Sequence, residues 1–268
     1  MTRTALAISP HLDDAVFSAG GTLARLAAQG WQVVMATIFT ASVRDPRGFA
    51  LACQLDKGLG PEVDYMALRR EEDRAAARAL GIDEPVHLPF REAPHRGYAS
   101  APELFAELRP DDRIGANLAD AFERLVADTG PDLILAPQAV GGHVDHVQVV
   151  RAFRAAQPPL PVLWWRDFPY TVRSTEPKEP LRAIFEHWPE QVVRLDSEAE
   201  HRKAKPAPPT GRRSASSSAG RRDCARVFPL RTASNASACR AGCRRVCAMP
   251  ASPEVPKPAR SRPFSRRA

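Results

Sequence analysis

The stretch TALAISPHLDD, residues 4–14, largely decides how the chain is expected to fold. Its first six residues form an aliphatic run typical of a buried strand, and residues 15–29 have the pattern of a helix that ends at Gly30. A second aliphatic run over residues 32–39 completes a strand–helix–strand unit. Such units predict parallel strands connected by helices, as in α/β proteins.

The alternation of short aliphatic runs with helical patterns continues to about residue 195. Further helices are predicted at residues 68–80, 117–128 and 147–156, and further strands at residues 86–90, 132–136 and 161–166. We therefore expect a Rossmann-like α/β fold, a mostly parallel sheet with helices on both faces, within one domain over residues 1–205.

The charge of the chain is divided unevenly between this domain and the residues that follow it. Residues 1–201 hold 21 Lys and Arg against 29 Asp and Glu, whereas residues 202–268 hold 17 against 2. Residues 206–268 are rich in Arg, Ala, Ser and Pro and lack apolar periodicity, so we predict a disordered basic tail. An abrupt change of this kind is also what a reading-frame change in GC-rich coding DNA would produce.

Several protein classes do not fit the composition. No run of 18 apolar residues occurs, so a membrane span is not expected. Cys53 is the one cysteine before the tail, which argues against a disulfide scaffold. The residues before His11 are too few for the parts of a signal peptide, and we therefore expect a cytoplasmic protein.

Two clusters of polar residues stand where predicted strands give way to helices. His11, Asp13 and Asp14 follow the first strand, and the sequence GGHVDH, residues 141–146, follows the strand at 132–136. Open α/β sheets place their ligands at such junctions, and His and Asp side chains are common metal ligands. Each cluster alone also fits a structural origin. In the first cluster, Asp13 or Asp14 would then be the helix N-cap and His11 a loop residue.

The two clusters together resemble the motifs of a known family, the PIG-L/LmbE-like zinc-dependent N-acetylglucosaminyl deacetylases. The family motifs are Pro-His-x-Asp-Asp and His-x-Asp-His, and both occur here in that order. The likeness extends through Arg69-Arg70-Glu71-Glu72-Asp73 and through residues 164–170, and it covers roughly residues 4–205. It implies a hydrolase that converts an N-acetylated sugar to acetate and a free amino sugar, with a small glycoconjugate as its partner.

The resemblance also implies roles for individual residues. It makes His11, Asp14 and His146 the ligands of Zn²⁺, although Fe²⁺ or another divalent ion is compatible with such ligands. It makes Asp13 the general base and His143 the electrophilic partner of the substrate carbonyl, with Asp145 orienting or tuning His143. A protonated His143 would give its proton to the departing amine.

Four further residues are predicted to contact the sugar: Arg69, Glu92, Trp165 and Tyr170. Arg69 and Glu92 match sugar-contacting positions of the family, and the aromatic residues, with Trp164, would form a stacking wall. Two alternative functions remain open at this point. One is a metal-dependent amidase acting on a different amide, and the other is nonenzymatic nucleic-acid binding through the cationic tail.

Overall fold

The structure is a computed structural model that describes residues 2–156 and 158–195. The strands of that part of the chain are β1 (Thr4–Ser9), β2 (Gln32–Thr37), β3 (Val86–His87), β4 (Leu133–Pro137) and β5 (Val162–Trp165). Its helices are α1 (Asp14–Ala28), α2 (Gly48–Leu55), α3 (Tyr65–Leu80), α4 (Ile114–Thr129), α5 (Val144–Ala156), α6 (Tyr170–Arg173) and α7 (Arg182–Phe185). Single 3₁₀ turns lie at Ala93–His95 and Glu103–Phe105.

The strands form one parallel sheet in the order β3-β2-β1-β4-β5. From β1 the chain moves outward through β2 and β3, then returns to the other side of β1 through β4 and β5. Open α/β sheets bind ligands beyond the carboxyl ends of the strands, at the point where this order reverses. The predicted Rossmann-like α/β fold is confirmed, and its reversal point lies between β1 and β4.

Both faces of the central strand are covered by helices. Ala5 and Ala7 pack with side chains of α1 and α3, whereas Leu6 and Ile8 pack with side chains of α4 and α5. These four residues of β1 are fully buried. Alternation along a strand sends successive side chains to opposite faces, so a strand covered on both faces is apolar throughout. This explains the continuous aliphatic run at the start of the sequence.

Local capping sets the ends of the two helices on one face of the sheet. At the end of α1, the amides of Gly30 and Trp31 donate to the carbonyls of Ala27 and Leu26, and Gly30 has a φ of 82°. This is the Schellman arrangement expected from a glycine at that position. At the start of α3, the Asp64 side chain accepts a hydrogen bond from the Ala67 amide at 2.9 Å.

Some predicted elements differ from those observed. The strand predicted over residues 32–39 ends at Thr37, although the next two amides donate to the carbonyls of Ser9, at the end of β1, and of Pro10 beyond it. The strand predicted over residues 86–90 is reduced to Val86 and His87, with one isolated antiparallel bridge between Phe39 and Pro89. Proline has no amide hydrogen and cannot continue a ladder. Helix α2 was not predicted.

The tail predicted over residues 206–268 lies outside the described residues. The sequence also predicts a helix that begins near Ser197, and this helix lies outside them as well. Within residues 2–156 and 158–195, every helix is too short or too polar to cross a lipid bilayer.

Candidate metal centre and active-site cavity

The two polar clusters meet beyond the carboxyl ends of β1 and β4. Helix α1 begins at Asp14, at the end of the first cluster, and α5 begins at Val144, within the second. His11 Nε2 lies 2.9 Å from Oδ2 of Asp145, although 134 positions separate these residues in the sequence. The pairing of two central strands therefore brings together side chains that are distant along the chain.

One carboxylate oxygen lies between two imidazole rings. Asp14 Oδ2 is 3.2 Å from His11 Nδ1 and 3.1 Å from His146 Nε2, and it accepts a hydrogen bond from the His11 amide at 2.8 Å. Tetrahedral zinc with bonds of about 2.0–2.1 Å holds neighbouring donor atoms roughly 3.3 Å apart. These two distances fit one divalent ion, as does the chemistry of the three donors, two imidazoles and a carboxylate.

The second nitrogen of each of these rings contacts a buried carboxylate. His11 Nε2 faces Asp145, and His146 Nδ1 lies 2.8 Å from Oδ1 of Asp167. A histidine that ligates a metal commonly donates its other N–H to a carboxylate, which fixes the tautomer and the orientation of the ring. The arrangement leaves His11 Nδ1 and His146 Nε2, the two atoms beside Asp14, available as ligands.

The charges around His146 favour a positive charge at its position. Burial acts to lower the pKa of His146, but the carboxylates of Asp14 and Asp167 outweigh it and raise the pKa to about 9. Burial likewise acts to raise the pKa of Asp14, whereas His146 and His11 hold it well below its usual range. Protons and metal ions both satisfy such a site, so a bound ion would displace protons.

Asp145 has a different set of contacts from the one its expected role implies. Its Oδ2 faces His11 and accepts a hydrogen bond from the Ala93 amide at 3.1 Å, while its Oδ1 lies 2.8 Å from Arg96 Nη2. The contact between Asp145 and His143 runs through the main chain, because the Asp145 amide donates to His143 Nδ1 at 3.2 Å. The Asp145 carboxylate thus orients His11 directly.

His143 stands beside the rings of His11 and His146. Its centroid is 5.0 Å from that of His11 and 5.5 Å from that of His146, and Phe105 contacts it edge-on at 5.3 Å. The three imidazoles place nitrogen atoms within 4.8 Å of one another, so His143 could also ligate an ion. Burial, aided by the neighbouring His11, lowers the pKa of His143 to about 3. With Nδ1 accepting from an amide, the neutral ring carries its proton on Nε2.

Asp13 occupies the N-cap position of α1 without acting as a side-chain cap. Its φ of 121° and ψ of −22° are unusual for any residue except glycine, and its carboxylate makes no capping hydrogen bond. The hydroxyl of Ser9 instead accepts from the Ala15 amide at 3.0 Å. Backbone strain of this kind is retained at functional sites when the surrounding structure fixes it. The N-cap interpretation of Asp13 is therefore not supported.

The Asp13 carboxylate lies close to one arginine. Arg69 Nη2 is 3.5 Å from Asp13 Oδ1 and donates to the Leu12 carbonyl at 2.6 Å, while Nη1 donates to Glu92 Oε1 at 3.0 Å. The Asp13 side chain keeps about half of its surface accessible. Even so, the enclosing walls raise its pKa to about 7, against the opposing effect of Arg69 and with help from Asp14.

These side chains line a cavity of about 540 Å³, large enough for a small glycoconjugate. Asp13, Arg69, Glu92 and Tyr170 are all on its wall, as are residues of the unpredicted helix α2. Gly141 makes room for Tyr170, since its φ is 92° and a Cβ there would collide with the phenol ring. The first of the two glycines before His143 therefore has a steric purpose.

The tryptophans do not join this wall. Trp165 packs in β5 against the core beside α1, and Trp164 packs against Phe153 and Phe185 on the other face. Neither contributes to the cavity lining. The predicted contact between Trp165 and the sugar does not match this position, because strand alternation directs both indoles into the layers that cover the sheet.

Two residues of the site were not singled out from the sequence. Asp167 lies two residues after the end of β5, and an acidic residue so close to the carboxyl end of a strand beside β4 was the available signal. Oδ1 of Asp167 contacts His146, and Oδ2 accepts hydrogen bonds from the amides of Gln138 at 3.2 Å and Val140 at 3.0 Å. Arg96 lies in an irregular segment after a 3₁₀ turn, where no pattern distinguishes it from surface arginines.

Comparison with known proteins gives consistent matches. A model of the PIG-L family, described as GlcNAc-PI de-N-acetylase, matches residues 6–157. A 2'-N-acetylparomamine deacetylase of Streptomyces fradiae is 36% identical over 167 residues, which are 62% of this chain and 57% of that protein. A 1D-myo-inositol 2-acetamido-2-deoxy-alpha-D-glucopyranoside deacetylase of Rhodococcus opacus is 30% identical over 162 residues, 58% of this chain and 53% of that protein.

Solved structures of deacetylases have a similar fold. The deacetylase of the antimicrobial A40926 pseudoaglycone is 31% identical, with a TM-score of 0.62 over 75% of this chain and 78% of its own. A deacetylase–teicoplanin complex is 28% identical, with a TM-score of 0.64 over 75% of this chain and 83% of its own. The chain spans little more than half the length of the curated relatives it matches.

Proposed function

The chain belongs to the PIG-L family, whose model matches more than half of it, and on this premise we propose that it is a metal-dependent N-deacetylase. Its substrate is an N-acetylglucosamine-type glycoconjugate, and its products are acetate and a free amino sugar. We assign this reaction to the domain over residues 1–205. The observation that carries the proposal is the convergence of His11, Asp14 and His146 on the wall of the cavity that Asp13 also lines.

In this proposal His11, Asp14 and His146 hold the ion. Their donor atoms have suitable spacing, and Asp145 and Asp167 fix the two imidazole tautomers. A divalent ion held there supplies a Lewis acid that activates water and polarises an amide carbonyl. We propose Zn²⁺ as this ion, and the same donor set also suits Fe²⁺.

Asp13 serves as the general base. Its pKa of about 7 lies near neutral pH, where a base both accepts and returns a proton readily. Its carboxylate is accessible from the cavity and is not committed to a helix cap. Asp13 takes a proton from the attacking water, whose oxygen bonds to the acetyl carbon.

His143 stabilises the charge that develops on the acetyl oxygen. Its neutral ring presents Nε2–H while Nδ1 is held by the Asp145 amide. A positioned N–H donor of this kind is worth about 3–4 kcal/mol of transition-state stabilisation. The low pKa does not support a protonated His143 as the acid. The proton accepted by Asp13 therefore goes to the departing amine as the C–N bond breaks.

Arg69, Glu92 and Tyr170 bind the sugar. Arg69 and Glu92 form an ion pair on the cavity wall, which offers donors and an acceptor to adjacent hydroxyl groups. Tyr170 supplies an aromatic surface next to His146, with ring centroids 6.4 Å apart. Relatives that act on N-acetylated paromamine and on an inositol glycoside support a glycoconjugate as the substrate class.

The first experiment measures acetate released by the purified chain from 2'-N-acetylparomamine and from N-acetylglucosaminyl-inositol. Reactions contain added Zn²⁺ or a chelator. We expect release that the chelator abolishes and that falls at least 100-fold in Asp13→Asn. Asp128→Asn, which changes an exposed carboxyl on α4, is the matched control and should retain full activity.

The metal content of the same sample separates the remaining explanations. One ion per chain without acetate release would indicate a different amide as substrate. Release that persists in the chelator or in Asp13→Asn would contradict the mechanism. Nucleic-acid binding that is lost with residues 206–268 and is indifferent to the chelator would support the alternative function.

A further inference from the structure

The carboxylate that orients His11 is itself held by a buried arginine. Nη2 of Arg96 lies 2.8 Å from Asp145 Oδ1 and 3.0 Å from Asp112 Oδ2, and Nε donates to Asp112 Oδ1 at 3.2 Å. The exposed fractions of these side chains are 11% for Arg96, 2% for Asp112 and none for Asp145. Contacts between oppositely charged groups therefore connect His11, through Asp145 and Arg96, to Asp112 in the loop before α4.

The position of Arg96 is fixed from several sides. Nη1 donates to the Arg91 carbonyl at 2.7 Å, and the guanidinium lies over Phe39 at 5.0 Å. The same Phe39 ring contacts His11, with centroids 5.7 Å apart. Asp112 is fixed in turn by Tyr98, whose hydroxyl donates to Oδ2 at 3.1 Å. Arg96 is therefore a rigid partner for Asp145.

The two carboxylates that hold the ligand histidines are supported differently. Asp167 accepts hydrogen bonds from two main-chain amides, which no side-chain substitution removes. Asp145 has one such amide, and its Oδ1 has no hydrogen-bond partner in the described part of the chain; the charge of Arg96, in an ion pair at 2.8 Å, compensates that oxygen. The His11 side of the site thus depends on a side chain that contacts neither the ligands nor the cavity.

We propose that Arg96, anchored by Asp112, is a positioning residue for the metal centre. It fixes the Asp145 carboxylate in the orientation that presents His11 Nδ1 to the ion. This inference rests on the proposed metal-dependent function. Without Arg96, Asp145 is a buried carboxylate with an unpaired oxygen, and it must turn or take in water to satisfy that oxygen. His11 then loses the contact that fixes its tautomer.

The test measures metal binding by the full chain, independently of activity. The dissociation constant for Zn²⁺ is obtained by competition with a chromophoric chelator, and the absorption of bound Co²⁺ reports the ligand geometry. We expect Arg96→Met to weaken Zn²⁺ binding about 10–100-fold and to alter the Co²⁺ spectrum. Arg96→Lys keeps the charge but lacks the planar fork, so it should fall between Arg96→Met and the unmodified protein.

A matched control breaks a different buried contact between a basic side chain and a carboxylate. His87 lies 2.9 Å from Asp73, is 9% exposed and touches none of the proposed ligands. His87→Leu should lower the thermal stability of the metal-free protein while leaving Zn²⁺ affinity and the Co²⁺ spectrum unchanged. If Arg96→Met behaves as His87→Leu does, Arg96 is merely structural and the inference is overturned.

A double-mutant cycle tests whether Arg96 acts through Asp145. Asp145→Asn alone should weaken Zn²⁺ binding, and adding Arg96→Met should weaken it little further. Full additivity of the two effects would overturn the inference. If Arg96→Met does not fold, Asp112→Asn replaces it, with a several-fold loss of affinity expected. Absence of Zn²⁺ binding by the unmodified chain would overturn the proposed function itself, and this inference with it.

Discussion

Nδ1 of His146 lies 2.8 Å from Oδ1 of Asp167, and both side chains are almost completely buried. Asp167 belongs to the loop after β5, so three successive strands of the sheet, β1, β4 and β5, supply residues to one proposed ion site. The contact also explains how His146 can be buried and still bind a metal ion, because its other nitrogen, Nε2, remains directed at Asp14.

Asp167→Asn should weaken metal binding while preserving the fold. An asparagine can direct its amide group at His146 and so favour the wrong tautomer, and we expect a 10–100-fold loss of Zn²⁺ affinity. Chelator competition measures this loss, and Asp128→Asn serves as the control for handling and expression. Unchanged affinity in Asp167→Asn would show that His146 does not depend on this carboxylate.

Glu92→Gln should act mainly on substrate binding. The variant keeps the shape of the side chain but removes the charge that pairs with Arg69 at 3.0 Å. Loss of a hydrogen bond to a charged group corresponds to about 1.5–3 kcal/mol, so we expect KM to rise about 10-fold or more. Steady-state kinetics with both proposed substrates separate KM from kcat. A fall in kcat with unchanged KM would argue against a sugar contact.

Gly141→Ala should disturb the cavity through Tyr170. The substitution places a Cβ at a φ of 92° and against the phenol ring, so the ring must move away from the wall of the cavity. We expect a loss of about 1–3 kcal/mol of stability together with reduced kcat/KM. Denaturant unfolding and steady-state kinetics measure the two effects. Gly130→Ala is the control, because its φ is also positive but its Cβ would meet open space.

Asp64→Ala should destabilise α3 by about 1 kcal/mol at pH 7, because it removes the N-cap. Partial burial acts to raise the pKa of Asp64, but hydrogen bonds from Ser42 and the Ala67 amide hold it below its usual value. A depressed pKa contributes stability above the unfolded value of about 4, and this is lost as the pH falls through the folded value.

The unfolding free energies of the parent and Asp64→Ala should therefore converge in acid. Urea titrations at pH 7 and below pH 4 check this convergence. Asp64→Asn retains a capping oxygen and should stay close to the parent at pH 7. A difference between parent and Asp64→Ala that does not change with pH would contradict the capping role.

The sequence predicts the central elements of the fold closely. Strand β1 has the predicted bounds, and Gly30 ends α1 as expected, because local capping and a continuous aliphatic run are signals that neighbouring residues carry by themselves. The sequence does not predict helix α2, because its eight residues are too few and too apolar to show the alternation of polar and apolar faces that marks a helix. For the same reason, the sequence does not predict that residues of α2 line the cavity.

The sequence predicts the three proposed metal ligands of the candidate site but not which carboxylates hold the two histidines. His11, Asp14 and His146 come together as the motifs indicate, whereas the partners of their outer nitrogens depend on contacts between distant segments. Whether Asp145 faces His143 or His11 is decided by Arg96 and the Ala93 amide, about 50 residues upstream. Trp165 illustrates the opposite error, because an aromatic residue near a motif packed into the core instead.

The strained backbone at Asp13 lowers the stability of the fold, whereas the carboxylate at that position is needed for the proposed reaction. A residue in that conformation costs about 1–3 kcal/mol, and the packing of β1 and α1 must supply it. Glycine would relax the main chain, so Asp13→Gly should unfold at a higher temperature in a thermal melt and, on the proposed mechanism, should release acetate at least 100-fold more slowly. Selection for thermal stability alone would therefore favour glycine at this position, and on the proposed mechanism the aspartate is retained for the proton that its carboxylate accepts.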